Sequence, residues 1–366
     1  MPSKELRKIY RTPVKESFPD TIKIHFGKGN HTFEKISWDM EADSKGLRYG
    51  SNPHQKAAFY QISTKQGSIT RAKWLKWGKG GPSATNILDG YHGMRIVGYF
   101  DDPAVAIVKH LNPCGVGVAE LGEPLSEIYS RAREVVSRAA FGSVVVFNRS
   151  VDSKTASEIV DAFVEVVYAP DYETGAMEEF SKKKDLRIAK IPKIKSTISK
   201  KGESPSILMI GDEGLIVEDQ YSTAIRNLSH LKARRVATER KPTETEYKWL
   251  LRAWWTCCEA WSNAVVFWKD ERAIAVGISP QDRIGGIEDA ISRVDRFSEG
   301  KYDLKQSVMA SDGFLPKIDN IDTAARSGVT AIVQPGGSAE DDNIIEACNK
   351  AGIAMVFTEE RSFRHY

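Results

Sequence analysis

A chain of 366 residues with 41% hydrophobic content can bury an extensive core and divide into two or more domains, which excludes a disordered protein. Its 52 basic and 49 acidic side chains leave a net charge of only +3, a balance that suits anionic small ligands and does not demand nucleic acid. Four cysteines, two of them adjacent at Cys257 and Cys258, give neither a disulfide framework nor a CxxC pair and fit a reducing, cytoplasmic setting. The polar N-terminus and the lack of any run of about eighteen apolar residues argue against secretion and membrane spanning.

Residues 1–46 mix charge with Pro13 and Pro19 and read as an N-terminal arm with one short strand, Thr21 to Phe26. From Leu47 the pattern alternates. A helix is predicted from about Asn86 to Tyr99, a strand over Ala104 to Val108, a helix from Ser126 to Arg138, a strand over Ser143 to Phe147 and a helix from Lys154 to Val164; such alternation predicts α/β layers. The first strand runs into Lys109-His110, and Asn112-Pro113 with Gly115 and Gly117 reads as the turn that ends it. Lysine and histidine are costly to bury at the mouth of an apolar strand, so this pair marks a site more readily than packing.

The basic stretch Lys182 to Ser204 reads as a solvated connection holding a strand at Leu186 to Ile191, and sets a boundary near residue 200. Beyond it, Thr243 and Glu246 form a capping-box pattern, and Leu250, Leu251, Trp254, Cys258 and Trp261 recur at helical spacing, a stripe for core or a subunit surface. That helix delivers Asn263 to the strand Ala264 to Trp268. A hairpin through Lys269 to Arg272 leads to Ala273 to Ile278 and then to Gln281-Asp282-Arg283. Ser311-Asp312-Gly313-Phe314 precedes a short helix closed by Gly328. The strand Val329 to Val333 ends at Gln334-Pro335-Gly336-Gly337-Ser338, where Ser338 and Asp341 suggest a second capping box and the glycine-rich turn offers backbone N–H groups to an acceptor-rich ligand. No GxGxxG or Walker-type run is present.

Several separated motifs together carry a family resemblance: Leu47-Arg48-Tyr49-Gly50-Ser51-Asn52-Pro53-His54-Gln55, Val108-Lys109-His110 with Asn112-Pro113, Ala140-Phe141-Gly142, Ala169-Pro170, Ser262-Asn263-Ala264, Ser311-Asp312 with Phe314 and Pro316, the Gln-Pro-Gly-Gly-Ser turn, and Arg361-Ser362-Phe363-Arg364-His365. In this order they resemble the AICAR transformylase domain of the bifunctional purine-biosynthesis enzyme, AICAR being 5-aminoimidazole-4-carboxamide ribonucleotide. The resemblance implies a layered α/β/α fold of two cytidine-deaminase-like subdomains, expected at 47–200 and 201–366, in a homodimer whose active sites are shared between subunits. In that family an IMP cyclohydrolase domain precedes the Arg-Tyr-Gly motif. Here only the short arm does, so a freestanding transformylase and a separate cyclohydrolase are expected. A zinc deaminase is a rival reading, but it needs His-x-Glu and Pro-Cys-x-x-Cys. Pro113-Cys114 is followed by Gly-Val-Gly and His110 by Leu-Asn, so no catalytic zinc is expected; a bound alkali ion is left open. A nucleotide-binding homologue without turnover is the second rival, and intact Lys109 and His110 speak against it.

The implied reaction moves a formyl group from the co-substrate 10-formyltetrahydrofolate to the 5-amino group of AICAR. The resemblance makes His110 the proton acceptor and gives Lys109 the developing negative charge. It implies AICAR contacts from Arg48, Tyr49, His110, Gly142, Glu165, Asn263, Arg283, Phe314 (from the neighbouring subunit) and Arg361, and counts as catalytic too Asn263, donating to the formyl or carboxamide oxygen, and His365, orienting the carboxamide. On the folate side it implies Ile284, Pro316, Asp319, Ser338 and Ala339. Two departures fall there: Lys317 stands where the family commonly carries phenylalanine, and Ile278-Ser279-Pro280-Gln281 replaces a glycine-containing approach to Arg283. They leave open a modified folate or an altered donor preference.

Overall fold

The computed structural model describes residues 12–26, 29–38, 46–62, 69–120, 122–192, 194, 205–298 and 300–365. The N-terminal segment 1–11 and much of the basic connection, 195–204, lie outside the described residues. In chain order come β1 (Thr21–Phe26), β2 (Gly29–Lys35), β3 (Tyr60–Ile62), β4 (Lys73–Lys76), α1 (Ala84–Gly98), β5 (Ala104–Lys109), β6 (Asn112–Val118), α2 (Leu125–Glu134), β7 (Ser143–Phe147), α3 (Ser153–Val160), β8 (Val164–Ala169), α4 (Thr174–Ser181) and β9 (Arg187–Lys190). Then follow β10 (Pro205–Ile210), β11 (Gly214–Asp219), α5 (Leu228–Lys232), β12 (Arg235–Val236), α6 (Glu244–Cys257), β13 (Val265–Lys269), β14 (Arg272–Gly277), α7 (Arg283–Phe297), β15 (Val308–Ser311), α8 (Ile318–Arg326), β16 (Ala331–Gln334), α9 (Asp341–Ala351) and β17 (Ala354–Phe357). This is the mixed α/β class that the alternation predicts. Among the described residues no helix is long and apolar enough to cross a membrane.

The chain forms two compact units: Met1–Leu111 with Leu121–Ser130 and Arg138–Thr197, and Asn112–Glu120 with Arg131–Ser137 and Ile198–Tyr366. In the first, the strand order is β5-β7-β8-β9-β4. β5 and β7 are antiparallel, β7, β8 and β9 parallel, and β9 and β4 antiparallel. In the second, the order β12-β17-β16-β15-β13-β14-β6 contains the same motif: β13 and β15 antiparallel, then β15, β16 and β17 parallel. Each motif follows a helix, α1 before β5 and α6 before β13. The β5 strand is wholly buried up to Val108, as a strand covered on both faces must be.

The sequence places most of these elements, and the exceptions have local causes. The turn after β5 is made by His110 and Leu111 at φ 55° and 65°, and Asn112–Val118, read as the turn, is a strand; two successive left-handed residues reverse a chain at once, leaving the next residues free to extend. The helix predicted to reach Val164 stops at Val160, because Val164-Glu165-Val166-Val167 is β-branched at alternate and adjacent positions and joins the sheet as β8. The Thr243–Glu246 capping box forms as expected, and Leu250, Leu251, Trp254 and Cys258 are core. The Ser338–Asp341 box does not form: α9 starts without a side-chain cap, since Asp341 instead accepts the Gly337 N–H at 2.7 Å. The arm is more structured than its composition suggests. β1 pairs with β2 and β2 with β3, and Val14 N–H donates to the Arg48 carbonyl at 2.8 Å.

Helix α1 sits unusually close to its sheet. Its N-terminus is closed by reciprocal bonds between Ser83 and Asn86, and along it a Cβ on Gly90 would lie 2.4 Å from the Tyr168 ring and one on Gly93 2.4 Å from Val146. Both neighbours are completely buried, so neither has room to yield. Gly93→Ala is therefore expected to push the helix outward and to destabilise the protein by roughly 1–3 kcal/mol, read as a lowered thermal unfolding midpoint; an unchanged midpoint would mean that the helix does not depend on this contact.

Candidate active site

In the first unit a cavity of about 440 Å³ is walled by Arg48, Tyr49, Lys79, Phe163, Glu165 and Arg187, with Lys182, Lys183 and Lys184 also lining it. The start of the basic stretch is thus a charged cavity wall as well as a connection. Arg48 and Arg187 are both buried and share one acceptor, the Lys79 carbonyl, at 3.4 and 3.0 Å. Arg187 also donates to the Gly81 carbonyl at 2.6 Å. Arg48 lies over the Tyr49 ring at 4.6 Å and donates to its hydroxyl at 3.1 Å. Burial, and then the neighbouring Arg48 charge, lower the Arg187 pKa to about 10. Two guanidinium groups side by side with lysines around them make a wall that an anion would stabilise.

Glu165 faces the same cavity from β8 and accepts from the Asn86 amide at 2.8 Å. Beside it lies Gly142 at φ 73°, a backbone conformation that suits glycine; the space around it is ordinary, its nearest neighbours being Phe163 and Glu165. Gly142 N–H donates to the Phe163 carbonyl at 2.7 Å, Phe163 stacks on Phe141 with centroids 4.6 Å apart, and the Lys109 ammonium donates to the Phe141 carbonyl at 2.6 Å. Lys109 is therefore linked to the cavity through this short aromatic edge. His110 is exposed at the turn that follows.

That turn is held from below by Asp89 of α1. Its carboxylate accepts the Leu111 N–H at 2.6 Å, with the His110 N–H beside it. Asp89 is only 4% exposed. Burial pushes its pKa up to about 6 and Glu165 adds to this, against the opposing effect of the two amides and Lys109. Sequence reasoning did not single out Asp89, Asn86 or Arg187. The available signals were two polar residues three apart near the start of the helix, and an arginine opening a short strand.

The second unit gathers another set. Arg283, buried at the start of α7, pairs with the buried Asp312, donates to Asn263 Oδ1 at 2.9 Å and to the Ala264 carbonyl at 3.2 Å. The Asn263 amide donates in turn to the Pro280 carbonyl at 2.9 Å, so the departure at 278–281 is tied to this residue. Asp312 also accepts from Ser262 Oγ at 2.5 Å and Ala264 N–H at 3.0 Å. The C-terminal segment folds onto the cluster: Ser362 N–H donates to the Asp312 carbonyl and Arg364 N–H to Ser262 Oγ, each at 2.9 Å. Arg361 and His365 are exposed and pack on Phe363, and Phe314 is 41% exposed. Asn263, Arg283, Arg361 and His365 are thus brought to one neighbourhood, with the Arg283 charge matched by Asp312.

The profile of the AICARFT/IMPCHase bienzyme family matches residues 12–293. The chain belongs to this family. The bifunctional purine biosynthesis protein PurH of Anoxybacillus flavithermus is 38% identical over 353 residues, covering 96% of this chain and 62% of that protein. PurH of Aquifex aeolicus is 39% identical over 320 residues, with 87% and 59% covered, and that of Caldicellulosiruptor saccharolyticus is 38% identical over 345 residues, with 92% and 62% covered. The chain spans about three fifths of the length of these curated relatives.

The residues that the family resemblance assigns to folate lie near three helix N-termini of the second unit: Ile284 in α7, Pro316 and Asp319 around the start of α8, and Ser338 and Ala339 before α9. Asp319 is exposed and accepts from the Asn320 amide at 2.6 Å; Lys317 is exposed at the α8 N-cap. The glycine-rich turn differs from expectation. Its Gly336 and Gly337 N–H groups already donate to Gln334 Oε1 and Asp341 Oδ2, at 2.8 and 2.7 Å, so these two amides are not offered to a ligand.

Asp89 yields a test of the first unit's electrostatics. A carboxyl raised from 3.8 to about 6 holds its proton more tightly folded than unfolded. Its favourable contribution is complete below about pH 4 and is lost as pH rises through about 6. Asp89→Asn removes that loss. Relative to wild type, its stability should rise by on the order of 1–3 kcal/mol between pH 4 and pH 7, measured by thermal unfolding at both values. A difference that does not change with pH would show that Asp89 is charged throughout.

Proposed function

We propose that this chain transfers a formyl group from 10-formyltetrahydrofolate to the 5-amino group of AICAR, giving formyl-AICAR. The observation that carries this reading is the joining, in one unit, of a Lys-His pair at a strand end with a cavity bearing two buried arginines and a carboxylate. The volume, about 440 Å³, suits a small-molecule ligand. Arg48, Arg187 and the lysines give a mononucleotide phosphate charge-assisted donors, and Glu165 offers an acceptor for ribose hydroxyls. Family membership supports the same assignment.

The chemistry asks for a base. The amine lone pair of AICAR is delocalised into the imidazole and carboxamide, so the nitrogen attacks well only as its proton leaves. In our assignment His110 takes that proton and returns it to the folate nitrogen as the bond from that nitrogen to the formyl carbon breaks, an imidazole being able both to accept and to donate a proton. Lys109 holds the negative charge that grows on the formyl oxygen as the amine adds, and its fixed position beside Phe141 and Gly142 means little reorganisation is needed. Asn263, Arg283, Arg361 and His365 are assigned to the nucleotide as well, and Ile284, Pro316, Asp319, Ser338 and Ala339 to the folate. Phe314, whose ring is partly uncovered, is assigned to the heterocycle bound by a partner subunit of a homodimer.

Purified protein given AICAR and 10-formyltetrahydrofolate is expected to form formyl-AICAR; no product with any folate donor would overturn the assignment. His110→Ala and Lys109→Ala are each expected to lower kcat by on the order of 100-fold. Turnover near wild type in either would make that residue structural.

A shared site has its own signature. When His110→Ala and Phe314→Ala proteins are mixed and allowed to exchange subunits, random pairing gives mixed dimers as about half the population, each with one intact site, so roughly a quarter of wild-type activity should return. Co-purification through a tag on one variant verifies exchange. Mixed dimers without recovery would remove Phe314 of the partner subunit from the site.

A further inference from the structure

The two units use one turn in two ways. In the second unit the β13–β14 turn is Asp270–Glu271, with φ 49° and 60°, the counterpart of His110–Leu111 at φ 55° and 65°. There the preceding helix grips a side chain: Glu271 is buried and pairs with Lys248 at 2.9 Å and with Arg252, both on α6. In the first unit the preceding helix grips the backbone. Asp89 of α1 accepts the Leu111 N–H, and the His110 side chain is exposed. Non-glycine residues in the left-handed region cost free energy and persist where their surroundings hold them. Asp89 is that hold. Its own place is fixed by the seating of α1 through Gly90 and Gly93, and Asn86, one helical turn earlier on the same face, steadies Glu165.

We propose that Asp89 is a positioning residue for His110: by accepting the Leu111 N–H it fixes the left-handed turn and so sets the direction in which the imidazole reaches the reacting amine. The proposal rests on the reading of His110 as the base, and it adds a residue that touches no substrate itself. An acceptor oxygen is what the geometry requires, so the amide of Asn should replace the carboxylate while Ala should not.

The test is a double-mutant cycle with formyl transfer from 10-formyltetrahydrofolate to AICAR as the assay. Asp89→Ala is expected to lower kcat about 10–100-fold through misplacement of the base, with the AICAR dissociation constant changed by less than about threefold on the same account. Asp89→Asn should keep kcat within a few-fold of wild type. Asp89→Ala/His110→Ala should turn over no more slowly than His110→Ala alone, because Asp89 acts only through His110. If the Ala variant does not fold, Asp89→Ser, whose hydroxyl is too short to reach the Leu111 amide, takes its place with the same expectations. Losses that multiply in the double variant, an Asn variant as slow as Ala, or an unchanged kcat in Asp89→Ala would each overturn the positioning role. A wild-type rate in His110→Ala would instead remove the base reading, and with it this proposal's premise.

Discussion

The close seating of α1 on its sheet is the constraint from which the first unit's chemistry follows. Gly90 and Gly93 let the helix backbone approach Tyr168 and Val146 to distances that no side chain permits. From that depth Asn86 reaches Glu165 and Asp89 reaches the His110 turn. The same helix therefore sets a cavity carboxylate and the imidazole, and it does so through residues three apart, which lie on one helix face. An outward shift would lengthen both bonds together, so the site's geometry and the packing of the helix are one problem.

Charge is handled differently in the two units, and the difference bears on what each can bind. In the first, Arg48 and Arg187 lie side by side and donate to backbone carbonyls and the Tyr49 hydroxyl, neutral acceptors that solvate a guanidinium without cancelling its charge. The positive potential survives and is reinforced by the lysines at the wall. In the second, Arg283 is matched by Asp312 at close range, so the pair orders Ser262, Asn263 and the C-terminal segment more than it attracts an anion. An anionic group belongs to the first arrangement, while the second suits neutral polar groups that need fixed hydrogen-bond partners.

The repeated topology gives a reason for the unequal roles. Antiparallel pairing followed by two parallel steps recurs, each time preceded by a helix and interrupted by a turn of two left-handed residues. Where it carries Glu271, the helix cations draw the side chain in and the turn is structural; where it carries His110, the helix carboxylate takes the Leu111 amide and the imidazole is exposed. One frame thus supplies a locked turn and a presenting turn.

Much of this was legible in the sequence. The strand into Lys109, the helix from near Asn86, the Thr243 capping box, the Trp254 core stripe and the family itself all follow from periodicity, capping patterns and local motifs, because those signals are carried by residues within one element. The tertiary structure decided what depends on distance across the chain. Asp89 looks like any polar residue in a helix until β5 brings the His110 turn above it. Arg187 acquires its meaning beside Arg48, far away in sequence, and Gly336 and Gly337 lose their offered amides only when Gln334 and Asp341 fold back to take them. Local order is written in spacing; the partner of a buried charge or a strained turn is chosen by the fold, since only the fold sets which groups are deprived of water together.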